Sequence, residues 1–423
     1  MKDHLIVGID LGSSAIRLAV GQIVTGADKR ESLSIIGAIE VPSQGISKGS
    51  INSLEDVISA ISASLEQVER QIGLPVSEVY VSIGGMHMMV QPAKGVIGVS
   101  RPDGEIREED IQRALESARA LVNPANYDVI HILPKKFVVD GQSGVKDPVG
   151  MQGIRLEVEA HIIQGFSAHV RNLTKAVFRT GLEVRELVFS PLASAEAVTT
   201  ARQREVGTVV VNVGASTTSI AIYEEGDLLH AAVFPLGADH ITSDIAIGLR
   251  TSLDVAEHIK RHYASAYAEP MSRFEEINLR ELGADHTEMV SRRFVSDIAQ
   301  ARAEELFERV EKELKKVERS GMLPAGAVLT GGGIKLSGMS DIARQVLRLP
   351  VSIGAATSVS TPLVELSQDP AFSTSIGLVL WGYGSEREGY TPTGKGGSYS
   401  NKGSQMVKKM SEPLKKIFKS FLP

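Results

Sequence analysis

The sequence predicts an α/β protein of two lobes closing on a shared cleft, and three observations carry that prediction. Residues 7–20 run VGIDLGSSAIRLAV, and residues 209–222 run VVVNVGASTTSIAI, 202 residues later. Superposed, Asp10 falls on Asn212, Gly12 on Gly214, Ser14 on Ser216, Leu18 on Ile220 and Ala19 on Ala221. Each copy is an apolar run, a polar turn of small residues, then alternating apolar residues, which predicts a β-hairpin with an unbulky tip. Small residues let backbone N–H groups approach an anion closely, and the hydroxyls add donors. The second observation is AVLTGGGIKLSGM at 327–339, an apolar strand meeting three glycines and then a helix. Bare backbone there can lie against a flat ligand such as a purine, and the helix N-terminus is polarised positive. The third is the alternation of strand-like and helix-like segments, the mark of α/β layering.

Along the chain, residues 5–22 and 33–41 alternate as strands do. Residues 53–72 carry apolar residues at helical spacing, with Ser53 as N-cap, Asp56 in the first turn and Gly73 as the stop. Val79–Ile83 is a short strand ending at Gly84-Gly85. Strands follow near 88–99, 129–139 and 156–163, with a helix at 108–122 among them. Residues 167–181 predict a helix and 184–189 a strand. The second half opens with a helix at 191–203 and the repeated hairpin. Helices are expected at 239–265 and 291–319, separated by a charged stretch. Strand 326–330, helix 337–347, strand 350–353 and a helix from Asp369-Pro370 to about Trp381 complete the body. Residues 383–404 are rich in Gly, Ser, Thr and Lys without apolar period, the composition of a flexible linker.

Composition excludes several classes. Hydrophobic content of 43% and charged content of 23% place the chain among globular proteins. With no cysteine, disulfide and thiolate chemistry are excluded. The N-terminal apolar run is broken by Asp10 and Gly12, unlike a secretory signal, and no run of apolar residues is long enough to span a bilayer. Net charge is −6, unevenly spread. Residues 401–423 hold six lysines against Glu412, giving +5 and leaving −11 on the first 400 residues. An acidic body argues against nucleic acid, and a basic tail points to an acidic surface.

The two hairpin tips and the glycine triplet, in that order, resemble the two phosphate motifs and the adenosine motif of the actin/Hsp70/sugar-kinase ATPases. The chain resembles most closely one branch, the FtsA family of bacterial cell-division proteins. SPLASAEAV at 190–198 and DPAFSTSIGLVLWG at 369–382 are similar to that family's two hinge helices, and HITSDIAIGLRTSLDVAEHIK at 240–260 is similar to it as well. The resemblance spans about residues 4–383 and extends to the terminal helix. It implies a two-lobed actin-like ATPase fold with ribonuclease H-like halves, an FtsA-type inserted subdomain and a C-terminal amphipathic helix. The units expected are a first-lobe core at 1–83 and 164–196, the insertion at 84–163, and a second-lobe core at 197–239 and 326–368. A second-lobe subdomain follows at 240–325, then a hinge helix at 369–382, a linker at 383–405 and the terminal helix at 406–423.

ATP and Mg²⁺ are the cofactors the resemblance implies. By motif position, Asp10 belongs near the metal, through water, and Gly12, Ser13 and Ser14 face the β- and γ-phosphates. Arg17 stands seven residues after Asp10, where actin has a phosphate-contacting lysine. Gly214, Ala215, Ser216, Thr217 and Thr218 form the opposing clamp. Glu257 and Lys260 resemble the family's ribose and adenine contacts, and Gly331, Gly332, Gly333 and Lys335 belong to the adenine platform. On their own, charges at i and i+3 such as Glu257 and Lys260 also suit an exposed helix face. The second hairpin departs from the pattern, with Asn212 and Ser219 where acidic residues are usual. Neither can neutralise a divalent ion or help accept a proton, so an ATP-binding switch with slow or absent hydrolysis is expected and no catalytic residue is assigned.

In the tail, Met410, Leu414, Ile417, Phe418, Phe421 and Leu422 fall on one helical stripe, with Lys415, Lys416 and Lys419 mostly opposite. Ser411 suits an N-cap and Pro413 the first turn. A helix docking on the body or on a partner would share the stripe, but the segregation of bulky apolar residues from lysines favours an anionic membrane surface. The family further implies self-association into filaments, tethering of the tubulin-like FtsZ polymer through its C-terminal peptide, other division partners, and a peripheral place on the cytoplasmic face of the membrane at the division site. Arg292, Arg293 and Arg302 are candidates for that acidic, apolar peptide, and a solvated helix face accounts for them equally well. Two other functions fit the superfold: a PilM-like type IV pilus assembly protein, which needs no basic tail, and a small-molecule kinase, which Asn212 and Ser219 disfavour.

Overall fold

The computed structural model describes residues 4–25, 31–122, 124–268, 275–283, 289–356 and 359–386. The first hairpin is β1 (Leu5–Leu11) and β2 (Ala15–Thr25), paired antiparallel with Asp10 opposite Arg17, and β3 (Glu31–Pro42) adds to it. A short hairpin of β4 (Ile46–Ser47) and β5 (Ser50–Ile51) follows, too brief for alternation to reveal. α1 (Leu54–Ile72) buries Val57, Ala60, Ile61, Ser64 and Val68, one face of a 3.6-residue period, and stops at Gly73 with φ 72°. Ser53 occupies the N-cap position, but its hydroxyl makes no capping bond. β6 (Glu78–Ile83) joins β1 in parallel.

The insertion is a separate antiparallel sheet. It comprises β7 (Met88–Gly98), α2 (Glu108–Leu121), β8 (Tyr127–Val139), β9 (Gln142–Val145) and β10 (Arg155–Phe166), in sheet order β7-β10-β8-β9. Ile111, Ala114, Leu115 and Ala118 of α2 share a core with Leu156, Val158 and Ala160 of β10. α3 (Ser167–Arg179) and β11 (Glu183–Phe189) then complete the first lobe, whose sheet runs β11-β6-β1-β2-β3.

The stretch expected as one helix at 191–203 is two, α4 (Ser190–Val198) and α5 (Ala201–Val206). Thr199 is extended, and Thr200 caps α5 in a reciprocal bond with Gln203. β12 (Thr208–Val213), β13 (Thr218–Glu224) and β14 (Asp227–Phe234) repeat the hairpin arrangement. The helix expected over 239–265 also divides, into α6 (Ala238–Leu249) and α7 (Leu253–His262). Arg250 turns left-handed at φ 52°, and the Ser252 hydroxyl accepts from the Val255 N–H to start α7. The charged stretch contributes β15 (Glu276–Asn278) and β16 (Met289–Ser291), which pair before the long α8 (Arg292–Lys316).

β17 (Ala327–Thr330) runs into the glycines. They lead to a 3₁₀ turn over Gly332–Lys335 rather than directly into a helix, and α9 (Met339–Leu347) begins later. β18 (Val351–Ile353), α10 (Val364–Gln368) and α11 (Ser373–Glu386) follow, so the helix extends into the segment expected as linker from 383. The second sheet, β14-β13-β12-β17-β18, repeats the strand order and directions of the first. α4 and α11 cross between the lobes with Gly377 against the Ala193 carbonyl, where a Cβ would clash, and a Cβ on Gly8 would lie 2.5 Å from the Ser375 carbonyl. Their apolar residues share a core with both sheets, including Ile6, Ala193, Val210, Ala221, Ile376 and Val379. The lobes also meet at an edge, where the Ile35 N–H donates to Ser360 O at 3.0 Å.

Candidate functional site

The two hairpin tips face each other across the lobes. In the first, the chain turns at Gly12, where a Cβ would lie 2.6 Å from the Ala15 carbonyl. In the second, the Gly214 N–H closes the turn on Thr217 O at 2.9 Å. The first turn of α6 is tied to that tip, with the Ala238 N–H donating to Gly214 O and the Asp239 N–H to Ala215 O. The Ser216 hydroxyl donates to the Ser13 hydroxyl oxygen at 2.7 Å, and accepts from the backbone N–H of Lys48 at 3.0 Å. Three elements distant in sequence thus converge at one point. Thr218 departs from the clamp: it is fully buried, and its hydroxyl donates to Leu236 O at 2.7 Å. Ser14 is exposed at the first tip and Thr217 half-buried at the second.

The floor of the cleft lies at the strand ends. Asp10 accepts from the Ser82 hydroxyl at 2.7 Å. Burial raises its pKa above the ordinary carboxylate value, against the Ser82 bond and the Arg17 charge, which lower it. Arg17 pairs with Glu40 at 2.7 Å. Its guanidinium lies 3.9 Å from where a Cβ on Gly12 would stand and 3.9 Å from where one on Gly332 would stand. In the second hairpin the equivalent cross-strand pair is neutral, Asn212 opposite Ser219, and Asn212 donates to the Thr374 hydroxyl at 3.1 Å.

The triplet splits by role. Gly331 sits at φ 90° against Asn212 Oδ1 and the Val213 carbonyl, and Gly333 packs on Val213 Cγ1, so both are buried against the second hairpin. Gly332 alone is exposed, bare backbone open to the cleft. Lys335 pairs with Asp369 at 2.5 Å, across from the turn that starts α11. Glu257 and Lys260 pair at 2.6 Å on α7, and both reach the Thr242 hydroxyl of α6, which donates to Glu257 and accepts from Lys260. Lys260 is buried and also donates to Ala238 O, at the α6 turn bonded to the second tip. The Lys260 and Thr242 bonds overcome the effect of burial and hold the Glu257 pKa low. This is more than an exposed helix face, since the pair links α7 to the end of α6 that is bonded to the second hairpin tip.

Of the other candidates, Arg292 donates to Tyr263 O and pairs with Glu275 at 2.9 Å, and Arg302 clamps Asp244 of α6 through two nitrogens at 2.6 and 2.9 Å. Arg293 is half-buried beside Arg292 at the start of α8. Ile247, Leu253 and Phe294 are exposed in the same unit. Met410, Leu414, Lys415, Lys416, Ile417, Phe418, Lys419, Phe421 and Leu422 lie outside the described residues. Among the described residues no helix is long and apolar enough to cross a membrane, and no group of three or more His, Asp or Glu side chains is set to hold a metal. Sequence reasoning missed Ser82, Thr242, Thr374, Glu40 and Lys48. Thr242 and Thr374 lie within the stretches 240–260 and 369–382, but nothing in those stretches marks their hydroxyls as partners of Glu257, Lys260 and Asn212; Ser82, Glu40 and Lys48 lie outside every motif.

The donor set suits a phosphate chain: paired small-residue tips, hydroxyls on Ser13, Ser216 and Thr217, and a glycine at Gly332 whose missing Cβ leaves backbone free. For a divalent ion the described carboxylate is Asp10, half-buried and already holding Ser82. Residues 209–377 match the family model "Cell division protein FtsA", and residues 85–164 match "SHS2 domain inserted in FTSA". The cell division protein FtsA of Pseudomonas aeruginosa is 34% identical over 397 residues, covering 94% of each chain. Among solved structures, a PilM–PilN type IV pilus biogenesis complex matches with a TM-score of 0.64 at 17% identity, covering 89% of this chain and 98% of that one. MreB5 of Spiroplasma citri bound to ADP matches with a TM-score of 0.51 at 12% identity, covering 88% and 94%. Both structural matches establish the shared actin-like fold.

Proposed function

Because the chain belongs to the FtsA family of cell-division proteins, we propose that its cleft binds ATP with Mg²⁺ and that the protein is a nucleotide-governed adaptor tethering FtsZ polymers to the membrane. The observation that carries the nucleotide reading is the meeting of two duplicated small-residue tips, Ser13 to Ser216, at 2.7 Å. Parting that contact exchanges hydroxyl–hydroxyl bonds for charge-assisted bonds to phosphate oxygens, which are stronger. In this reading Gly12, Ser13 and Ser14 hold the phosphates from one lobe, and Gly214, Ala215, Ser216 and Thr217 from the other. Asp10 holds Mg²⁺ through water, and the bound cation would neutralise phosphate charge. Gly332 offers backbone to the base, and the Glu257–Lys260 pair lies at its ribose side. With Asn212 and Ser219 neutral, turnover is slow or absent.

The sequence division into two lobe cores, an insertion and a second-lobe subdomain frames the rest of the proposal. The subdomain over 240–325 receives the FtsZ C-terminal peptide through Arg292, Arg293 and Arg302, the basic tail engages anionic lipid, and the chain self-associates. Other division proteins are further partners, at the cytoplasmic face of the membrane. Calorimetric titration with Mg·ATP tests the cleft. Gly332→Glu should abolish binding, and unchanged affinity in that variant would remove the base from this position.

A further inference from the structure

Among the described residues, four cationic side chains belong to this cleft or its rim, and three of them are already neutralised. Arg17 pairs with Glu40 at 2.7 Å, Lys260 with Glu257 at 2.6 Å and Lys335 with Asp369 at 2.5 Å. The fourth, Lys48, is exposed and has no carboxylate partner among the described residues. It stands at the tip of the β4–β5 hairpin, a segment that no motif marked.

That hairpin is built to hold its tip in place. Lys48 and Gly49 have φ of 52° and 78°, the two positive values of a tight two-residue turn. Ile46 is buried beneath it, and the Asn52 and Ser53 N–H groups both close on Gly45 O. Behind the tip, Gly49 lies against the Gly84 carbonyl, and a Cβ there would also stand 2.5 Å from Gly85 Cα. In front of it, the Lys48 N–H reaches Ser216, whose hydroxyl reaches Ser13.

The order of groups along the cleft gives the tip its meaning. The Arg17 guanidinium lies between Gly332 and Gly12. Next comes Ser13, then Ser216, then Lys48. If the base lies on Gly332, Lys48 is at the opposite end of the series, where the last phosphate of a triphosphate would fall. A lysine there has a flexible four-carbon stem rooted one peptide group from Ser216, and a compact ammonium charge.

We propose that Lys48 is a nucleotide-binding residue that contacts the terminal phosphate, so that the β4–β5 hairpin forms a third wall of the site and discriminates a nucleoside triphosphate from a diphosphate. This rests on the nucleotide reading above. The main-chain bond from Lys48 to Ser216 does not depend on the side chain, so replacing the side chain separates charge from hairpin position.

The test is calorimetric titration of the full chain with Mg·ATP and with Mg·ADP. Lys48→Met removes the charge, Lys48→Gly removes it while favouring the positive φ, and Lys48→Arg retains it. Both neutral variants should lose roughly tenfold in ATP affinity, the scale of one hydrogen bond to a charged group, and less than about twofold in ADP affinity. Lys48→Arg should stay near the wild type, and the ATP deficit should shrink as salt is raised. Wild-type ATP affinity in both neutral variants, or equal losses of ATP and ADP, would overturn the assignment while leaving the nucleotide reading intact. A wild-type chain that binds neither nucleotide would overturn both.

Discussion

Two side chains show how a single residue sets the behaviour of this protein. Asn212 occupies, in the second hairpin, the place Asp10 occupies in the first, but it spends its amide on the Thr374 hydroxyl and faces the neutral Ser219. Asn212→Asp can keep Thr374 as a partner, because a hydroxyl donates as readily as it accepts. The substitution should leave the fold intact and raise Mg²⁺-dependent ATP hydrolysis. A wild-type rate like that of a working metabolic kinase would contradict the slow-turnover reading. His131 is a structural counterpart. It is buried on β8 beside the edge strand β11, where its Nε2 accepts from the Phe189 N–H at 3.1 Å, and burial lowers its pKa to about 3. The unfolded chain binds a proton near pH 6.5 and the folded one does not. Stability from this group is therefore full above pH 6.5 and falls by about 1.4 kcal/mol per pH unit as pH drops toward 3. Glu186, with Oε1 3.9 Å from the ring, has its pKa raised by burial to about 7. Its contribution runs the other way, present below pH 4.5 and lost as pH rises through 7. The readout is accordingly the difference between wild type and His131→Gln, which keeps an acceptor without the titration. Between pH 7 and 5 the variant's Tm should fall less, and parallel profiles would show that His131 is not the titrating group.

Among elements, α7 couples local capping to the cleft. It has ten residues, too few to be stable alone, and its start depends on Ser252 accepting from Val255 at 3.3 Å. Its inward face carries the Glu257–Lys260 pair that reaches α6 through Thr242. Ser252→Ala should cost about 1 kcal/mol of stability. It should also weaken Mg·ATP binding severalfold without touching the ligand, since a frayed first turn releases Glu257. Lowered Tm with unchanged affinity would confine the cap to a stability role. The long α8 behaves differently: Arg302 is engaged with Asp244, so a peptide that uses this arginine must compete with an existing pair.

For the whole molecule, two similar five-stranded sheets are joined by α4 and α11, which cross at Gly377 and Ala193 with no side chain between them. The proposed role of the tail, engagement of anionic lipid, has a direct test. Phe418→Glu places a carboxylate in the apolar stripe and should cost about 2 kcal/mol or more of membrane insertion, releasing most protein from anionic vesicles in co-sedimentation. Lys415→Glu with Lys416→Glu should release it in proportion to salt and anionic lipid content. ATP binding should be unchanged in both. If deleting residues 406–423 leaves vesicle binding untouched and lowers Tm, the tail docks on the body instead.

What the sequence determined by itself was everything encoded in local pattern. The paired hairpins, the apolar periods of α1 and α2, the glycine triplet and the charge of the tail are statements about neighbours a few residues apart. Short-range physics sufficed for them, because small turn residues and a 3.6-residue or two-residue period mean the same thing in any context. Helix breaks at Thr199–Thr200 and Arg250–Ser252 escaped, since a polar residue inside a helical pattern becomes a cap only when packing forces the chain to turn there. Tertiary structure alone decided which predicted groups share a place. It buried the Thr218 hydroxyl, left Gly332 as the exposed member of its triplet, and seated Arg17, Lys260 and Lys335 against carboxylates. It also brought Lys48 to Ser216, 168 residues away in the chain. Such meetings depend on how two sheets and two crossing helices pack, and no local pattern carries that information.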